Sequence, residues 1–157
     1  MHNRRKKGHA SRGVAHIPVS DKQELKGASN VGKHILVISQ YFHPEQFRVN
    51  DICLEWISRG HKVTVLTGIS NYPEGKYYEG YGLLKKRNEN WHGIDVIRIP
   101  LVPRGRNPVM LSLNYLSFAL SGLVFAKASK ISADCVFVYE VSPMTQALPG
   151  VWLSARK

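Results

Sequence analysis

Ile35-Leu-Val-Ile-Ser39 is a short, almost wholly apolar run, and a few positions later the chain changes period. A strand that is apolar at every position, not every second one, suits a parallel sheet covered on both faces. Val49, Ile52, Cys53, Trp56 and Ile57 then recur at i, i+3, i+4, i+7 and i+8, the spacing of one helix face. Gly60, directly after Arg59, suits the end of that helix. Val63–Thr67 reads as a second strand. Strand, helix and strand at this spacing predict a right-handed βαβ unit. The loop between the first strand and the helix, Tyr41-Phe-His-Pro-Glu-Gln46, is where such a sheet places ligands. It lacks the glycines that let a backbone approach a dinucleotide pyrophosphate.

The rest of the chain extends the pattern. Gly68–Gly93 reads as one long irregular loop, rich in Tyr and Gly. Ile94–Ile99 reads as a third strand closed by Pro100, and Arg104-Gly-Arg-Asn-Pro108 as a basic turn. Val109–Ala126 has no formal charge between basic flanks. Its length is at the lower edge of a membrane span, but its Ser, Asn and Gly residues favour a buried or interfacial helix. Cys135–Tyr139 is a fourth strand, and Pro143–Lys157 a helical stretch in which Pro149 and Gly150 disfavour a continuous interior. The fold expected is α/β: a Rossmann-like, doubly wound parallel sheet without its later strands.

Charge divides the chain at about residue 33. Of the net +11, residues 1–33 contribute eight Lys/Arg against two Asp/Glu, and the remainder fourteen against nine. With no apolar periodicity, residues 1–33 are expected to be a disordered basic extension. They carry no apolar core of a secretory signal. A solvated tail is the default for such a run, with nucleic acid or anionic lipid as its possible partners. Cys53 and Cys135 both fall within apolar patterns and are expected to be buried, inert thiols with no metal spacing.

Several patches, from Lys33 to about Ala155, together carry a family resemblance. They are Ile35-Leu-Val-Ile-Ser-Gln-Tyr-Phe-His-Pro-Glu-Gln-Phe-Arg-Val-Asn-Asp51, Arg59–Gly68, Asn71-Tyr-Pro-Glu-Gly-Lys76, Arg98–Leu101, Pro103-Arg-Gly105, Leu113–Phe118 and Tyr139-Glu-Val-Ser-Pro143. In combination they resemble the opening of bacterial glycosyltransferase family 4 enzymes, in particular N-acetylfucosamine transferases of surface-polysaccharide synthesis. The resemblance implies that residues 34–157 are a truncated N-terminal, acceptor-side domain of a GT-B fold. The partners it implies are a nucleotide-sugar donor held by a separate C-terminal domain, a polyprenyl-diphosphate-linked sugar acceptor and an anionic membrane surface. It implies no nucleic acid and no metal or other cofactor. The location implied is the cytoplasmic face of the bacterial inner membrane, and the isolated chain is expected to be inactive. The alternatives are a non-enzymatic truncated product with residual membrane affinity and a basic nucleic-acid binder.

Candidate binding residues cluster after the strands. Gln46, Phe47 and Arg48 lie where the first loop enters its helix, whose free N–H groups and positive dipole end suit a phosphate. Asn71, Tyr72, Glu74 and Lys76 follow the second strand and offer the aromatic and amide groups that suit sugars. Glu140 and Ser142 end the fourth strand. His43 could serve as a base, His61 is expected to be structural, and no residue is assigned to catalysis.

Overall fold

The computed structural model describes residues 31–140 and 144–155; the expected basic extension lies, apart from residues 31–33, outside them. Five strands form one open sheet: β1 His34–Ile38, β2 Lys62–Gly68, β3 Asn88–Trp91, β4 Ile94–Ile99 and β5 Cys135–Val138. Their order is β3-β4-β2-β1-β5, with β4, β2, β1 and β5 parallel and β3 antiparallel to β4. The helices are α1 Arg48–Ser58, α2 Pro108–Ala128 and α3 Ala147–Ser154.

Alternation along β1 builds two cores, because successive side chains of a strand leave opposite faces. Ile35 and Val37 join Val63, Val65, Ile94 and Val96 under Val49 and Cys53 of α1. Leu36 and Ile38 join Leu66 and Ile99 under Phe118 and Ala126 of α2 and Leu153 of α3. Helices therefore cover both faces, as the sequence predicts. Gly60, at φ +82°, ends α1 in the left-handed conformation that glycine adopts without a Cβ penalty.

Three expectations need correction. The stretch from Gly68 to Gly93 is not all loop, since its last part is β3, paired residue by residue with β4. Asn88-Glu-Asn-Trp91 is poor in strand-forming types, so the strand is set by its partner and by its turn. Trp91 pairs with Ile94, leaving His92 (φ +51°) and Gly93 (φ +85°) as a two-residue hairpin turn. The sheet is thus mixed at this edge. Second, α3 runs through Pro149 and Gly150, both of which are buried. Pro149 lies in the first turn, where no helical N–H bond is lost, and a Cβ on Gly150 would come within 2.8 Å of Val138. Third, Cys53 is buried but Cys135 is exposed, at the start of edge strand β5.

Gly122 lets α2 meet α3. A Cβ there would lie 2.4 Å from Pro149 Cγ. Gly122→Val is therefore expected to destabilise the fold by about 2 kcal/mol through overpacking. Chemical denaturation would measure this, and an unchanged midpoint would mean that the α2–α3 contact is dispensable.

Candidate functional site

The four parallel strands deliver their following loops to one end of the sheet, and the β1–β5 junction is where strand order reverses. Two of these loops, those after β1 and β2, are tied together by Glu45. Its side chain is 2% exposed. Oε1 accepts the backbone N–H groups of Asn71 (2.8 Å) and Tyr72 (2.7 Å), and Oε2 that of Phe42 (3.3 Å). Burial pushes this carboxyl up to about 7, against the opposing pull of the three backbone donors and Arg98.

Asn71 continues the tie. Its Oδ1 accepts the N–H of Arg104 at 2.9 Å and its Nδ2 donates to the Ile69 carbonyl at 2.8 Å. At 1% exposure Asn71 has no side-chain group directed to a ligand; it fixes the loops after β2 and β4. Gln40 and Asn114 do the same for α2. Gln40 Nε2 donates to Asn114 Oδ1, and Asn114 Nδ2 to the Val102 carbonyl, each at 2.5 Å.

On this frame stands an aromatic cluster. Tyr41 stacks on Phe47 with ring centroids 5.2 Å apart, and Tyr72 contacts Tyr41 at 5.4 Å and Phe47 at 5.3 Å. The Arg104 guanidinium lies 5.3 Å from the Tyr72 ring, within cation–π range.

Two open hollows flank the cluster. Gln46, Phe47 and Arg48 line the first with His43, Asp51 and Trp91. Tyr72, Glu74 and Lys76 line the second with Tyr77 and Tyr78. Phe47 belongs to one wall and Tyr72 to the other, and their rings touch. The residues singled out after β1 and β2 are thus brought together, apart from the buried Asn71. Phe47 caps α1 without a side-chain hydrogen bond to its first turn, and the Asn50 N–H donates to the Phe47 carbonyl at 3.0 Å.

Glu140 is exposed after β5 and lines neither hollow. Ser142 lies outside the described residues. His43 stacks on Trp91 at 4.5 Å, and burial, with the Arg98 charge assisting and Glu89 opposing, lowers its pKa from the usual 6.5. A neutral imidazole in the wall of the hollow can accept a proton or a hydroxyl hydrogen bond. His61 accepts the Lys33 N–H through Nδ1 at 3.2 Å, the structural part expected of it.

Sequence reasoning did not single out Glu45, Tyr41, Trp91 or Arg104 for the site. Glu45 sits in a loop with no period to mark its side chain as buried. The only local signal was its place among aromatic residues and a proline. No family model, no curated protein and no solved structure was found to match this chain.

Proposed function

We propose that residues 34–157 form the acceptor-side part of a glycosyltransferase of GT-B type, working with a second Rossmann-like unit that holds a nucleotide-diphosphate sugar. The sugar acceptor would be carried on a polyprenyl diphosphate, and the product would enter surface polysaccharide. The observation that carries this reading is the pair of hollows joined by Phe47 and Tyr72 at the carboxyl end of a parallel sheet. Aromatic faces suit the apolar side of a sugar ring, and Glu74 and the His43 imidazole can meet hydroxyls. Arg48, at the positive dipole end of α1, suits a phosphate. The first loop has no glycine fingerprint, which favours a hydroxylated ligand over a dinucleotide.

In this reading Phe47 and Tyr72 orient the acceptor, Arg48 and Lys76 neutralise its diphosphate, and the donor-side unit supplies the electrostatic stabilisation of the leaving nucleotide. The isolated chain is expected to bind acceptor without transferring sugar.

Titration calorimetry with a short-chain, water-soluble prenyl-diphosphate N-acetylhexosamine tests the reading. Binding is expected, and Tyr72→Ala and Arg48→Ala should each weaken it about tenfold, or roughly 1.4 kcal/mol. Binding of a nucleotide sugar in place of the acceptor, or of neither, would overturn it.

A further inference from the structure

Arg104 lies in the loop after β4, and the loop after β2 fixes its main chain twice. Its N–H donates to the Asn71 side chain at 2.9 Å. Gly75, at φ +72°, packs its backbone so closely on the Arg104 carbonyl that no Cβ would fit between them. From this anchored backbone the side chain reaches the aromatic cluster. The guanidinium lies over the Tyr72 ring, and Nη1 donates to the Tyr41 hydroxyl at 3.4 Å. Tyr72 lines the second hollow and touches Phe47 of the first. Arg104 therefore stands beside the place where the two hollows meet.

This cation has no counter-ion of its own. The ion pairs among the described residues are Arg59 with Glu55 and Arg98 with Glu89. Arg104 is half-buried, and the guanidinium nitrogens sealed from solvent without an acceptor belong to Arg98 instead. A guanidinium that meets a ring with its face keeps its edge for acceptors. Nη1 makes only the long contact to Tyr41, and among the described residues Nε and Nη2 meet no acceptor. Arg48 and Lys76 are also cations at this end of the sheet, but both are exposed. Of the three, Arg104 is the one held in place, so binding through it orders less.

A fixed fork with a free edge matches a planar anion, and a carboxylate can take two of its N–H groups at once. The surroundings limit the charge that is welcome. Glu74 lines the same hollow as Tyr72, so each further negative charge on a ligand is repelled. One half-buried guanidinium balances one carboxylate and leaves a diphosphate undercompensated. The aromatic rings beside it suit the body of a sugar.

Taking the two hollows as the sugar site proposed above, we infer that Arg104 is its specificity-determining residue and that the sugar it selects is a hexuronic acid, whose carboxylate takes the free edge of the guanidinium.

Protein-detected NMR titration of the full chain tests this with methyl glucuronide and methyl glucoside, which differ only in a carboxylate in place of a hydroxymethyl group. The glucuronide is expected to bind more than about tenfold more tightly, as hydrogen bonds to a charged group imply. Arg104→Gln should abolish that preference, and Arg104→Lys, which keeps the charge without the fork, should recover only part of it. Both variants keep the main-chain bond to Asn71, and the preference of the parent is a measurement that needs neither of them. Equal binding of the two glycosides by the parent would overturn the inference and leave the sugar site standing, whereas binding of neither would overturn both. Full preference retained in Arg104→Gln would also overturn it. So would a loss of inorganic diphosphate binding in Arg104→Gln as large as the loss of glucuronide binding, since Arg104 would then be a general phosphate anchor.

Discussion

Replacing Glu45 by alanine is expected to destabilise the domain by about 4 kcal/mol, or roughly 15 °C in melting temperature. The carboxyl receives three backbone N–H groups from two loops. Alanine leaves all three without an acceptor in a buried place, and each unsatisfied donor costs about 1–3 kcal/mol. Glu45→Gln is milder. Its amide oxygen can keep the two short bonds from Asn71 and Tyr72, and only the 3.3 Å contact to Phe42 becomes donor against donor. A proton on the native carboxyl belongs on Oε2 for the same reason, because it displaces the weakest of the three bonds.

Both substitutions also remove a pH dependence that the parent has. With the folded-state carboxyl at about 7 and its ordinary value at 4.5, the folded chain keeps a proton between those values that the unfolded chain has released. Stability from this group is therefore present in full below pH 4.5, declines as pH rises through the window, and is flat above 7. The decline amounts to at most about 3 kcal/mol. Urea unfolding across the window should show this slope in the parent and lose it in Glu45→Gln. Equal slopes in the two proteins would mean that Glu45 ionises normally and that its burial has been overstated.

The parts of the fold that were legible in the sequence are those whose side chains obey a period. Ile35–Ile38 is apolar at every position, and Val63–Leu66 at all but Thr64, because helices cover both faces, and Val49, Cys53 and Trp56 repeat because α1 covers only one. β3 obeys no such rule. Its Asn88 and Asn90 are exposed, and its pairing is dictated by β4 and a hairpin turn two residues long. α2 is apolar all round, so its sequence could not say which side meets the sheet; Asn114, bonded to Gln40 and Val102, settles that. Cys135 misled because an edge strand can keep strand composition while its first residue is exposed. At the site, the exposed candidates Arg48, Glu74 and Lys76 were legible as loop residues after strands. Glu45 and Asn71 were not legible as a tie, because that role depends on backbone groups 26 and 27 residues away along the chain.

Glu89→Ala is expected to cost about 3 kcal/mol, more than Arg98→Met, although the two residues form one ion pair. Arg98, next to last in β4, has a side chain wholly shielded from solvent, whereas that of Glu89 is 19% exposed. Arg98 Nη2 donates to Glu89 and, at 2.7 Å, to the His43 carbonyl. The guanidinium also lies 4.8 Å from the Tyr81 ring. Among the described residues, Nε and Nη1 have no acceptor. A buried cation so sparsely bonded relies on its one carboxylate, and removing that carboxylate strands the charge. Methionine instead removes the charge and fills much the same volume, while Glu89 can recover water. The remaining loss is the bond to His43, about 1 kcal/mol. The double variant should therefore melt close to Arg98→Met alone, a coupling that a double-mutant cycle measures directly. His43 offers an independent readout, because Glu89 raises its pKa and Arg98 lowers it. Its imidazole should titrate lower in Glu89→Ala and higher in Arg98→Met when followed by NMR. If Arg98→Met were the more damaging substitution and the His43 titration did not move, the pair would be a packing element only. Arg98 would then have no electrostatic hold on the wall of the first hollow.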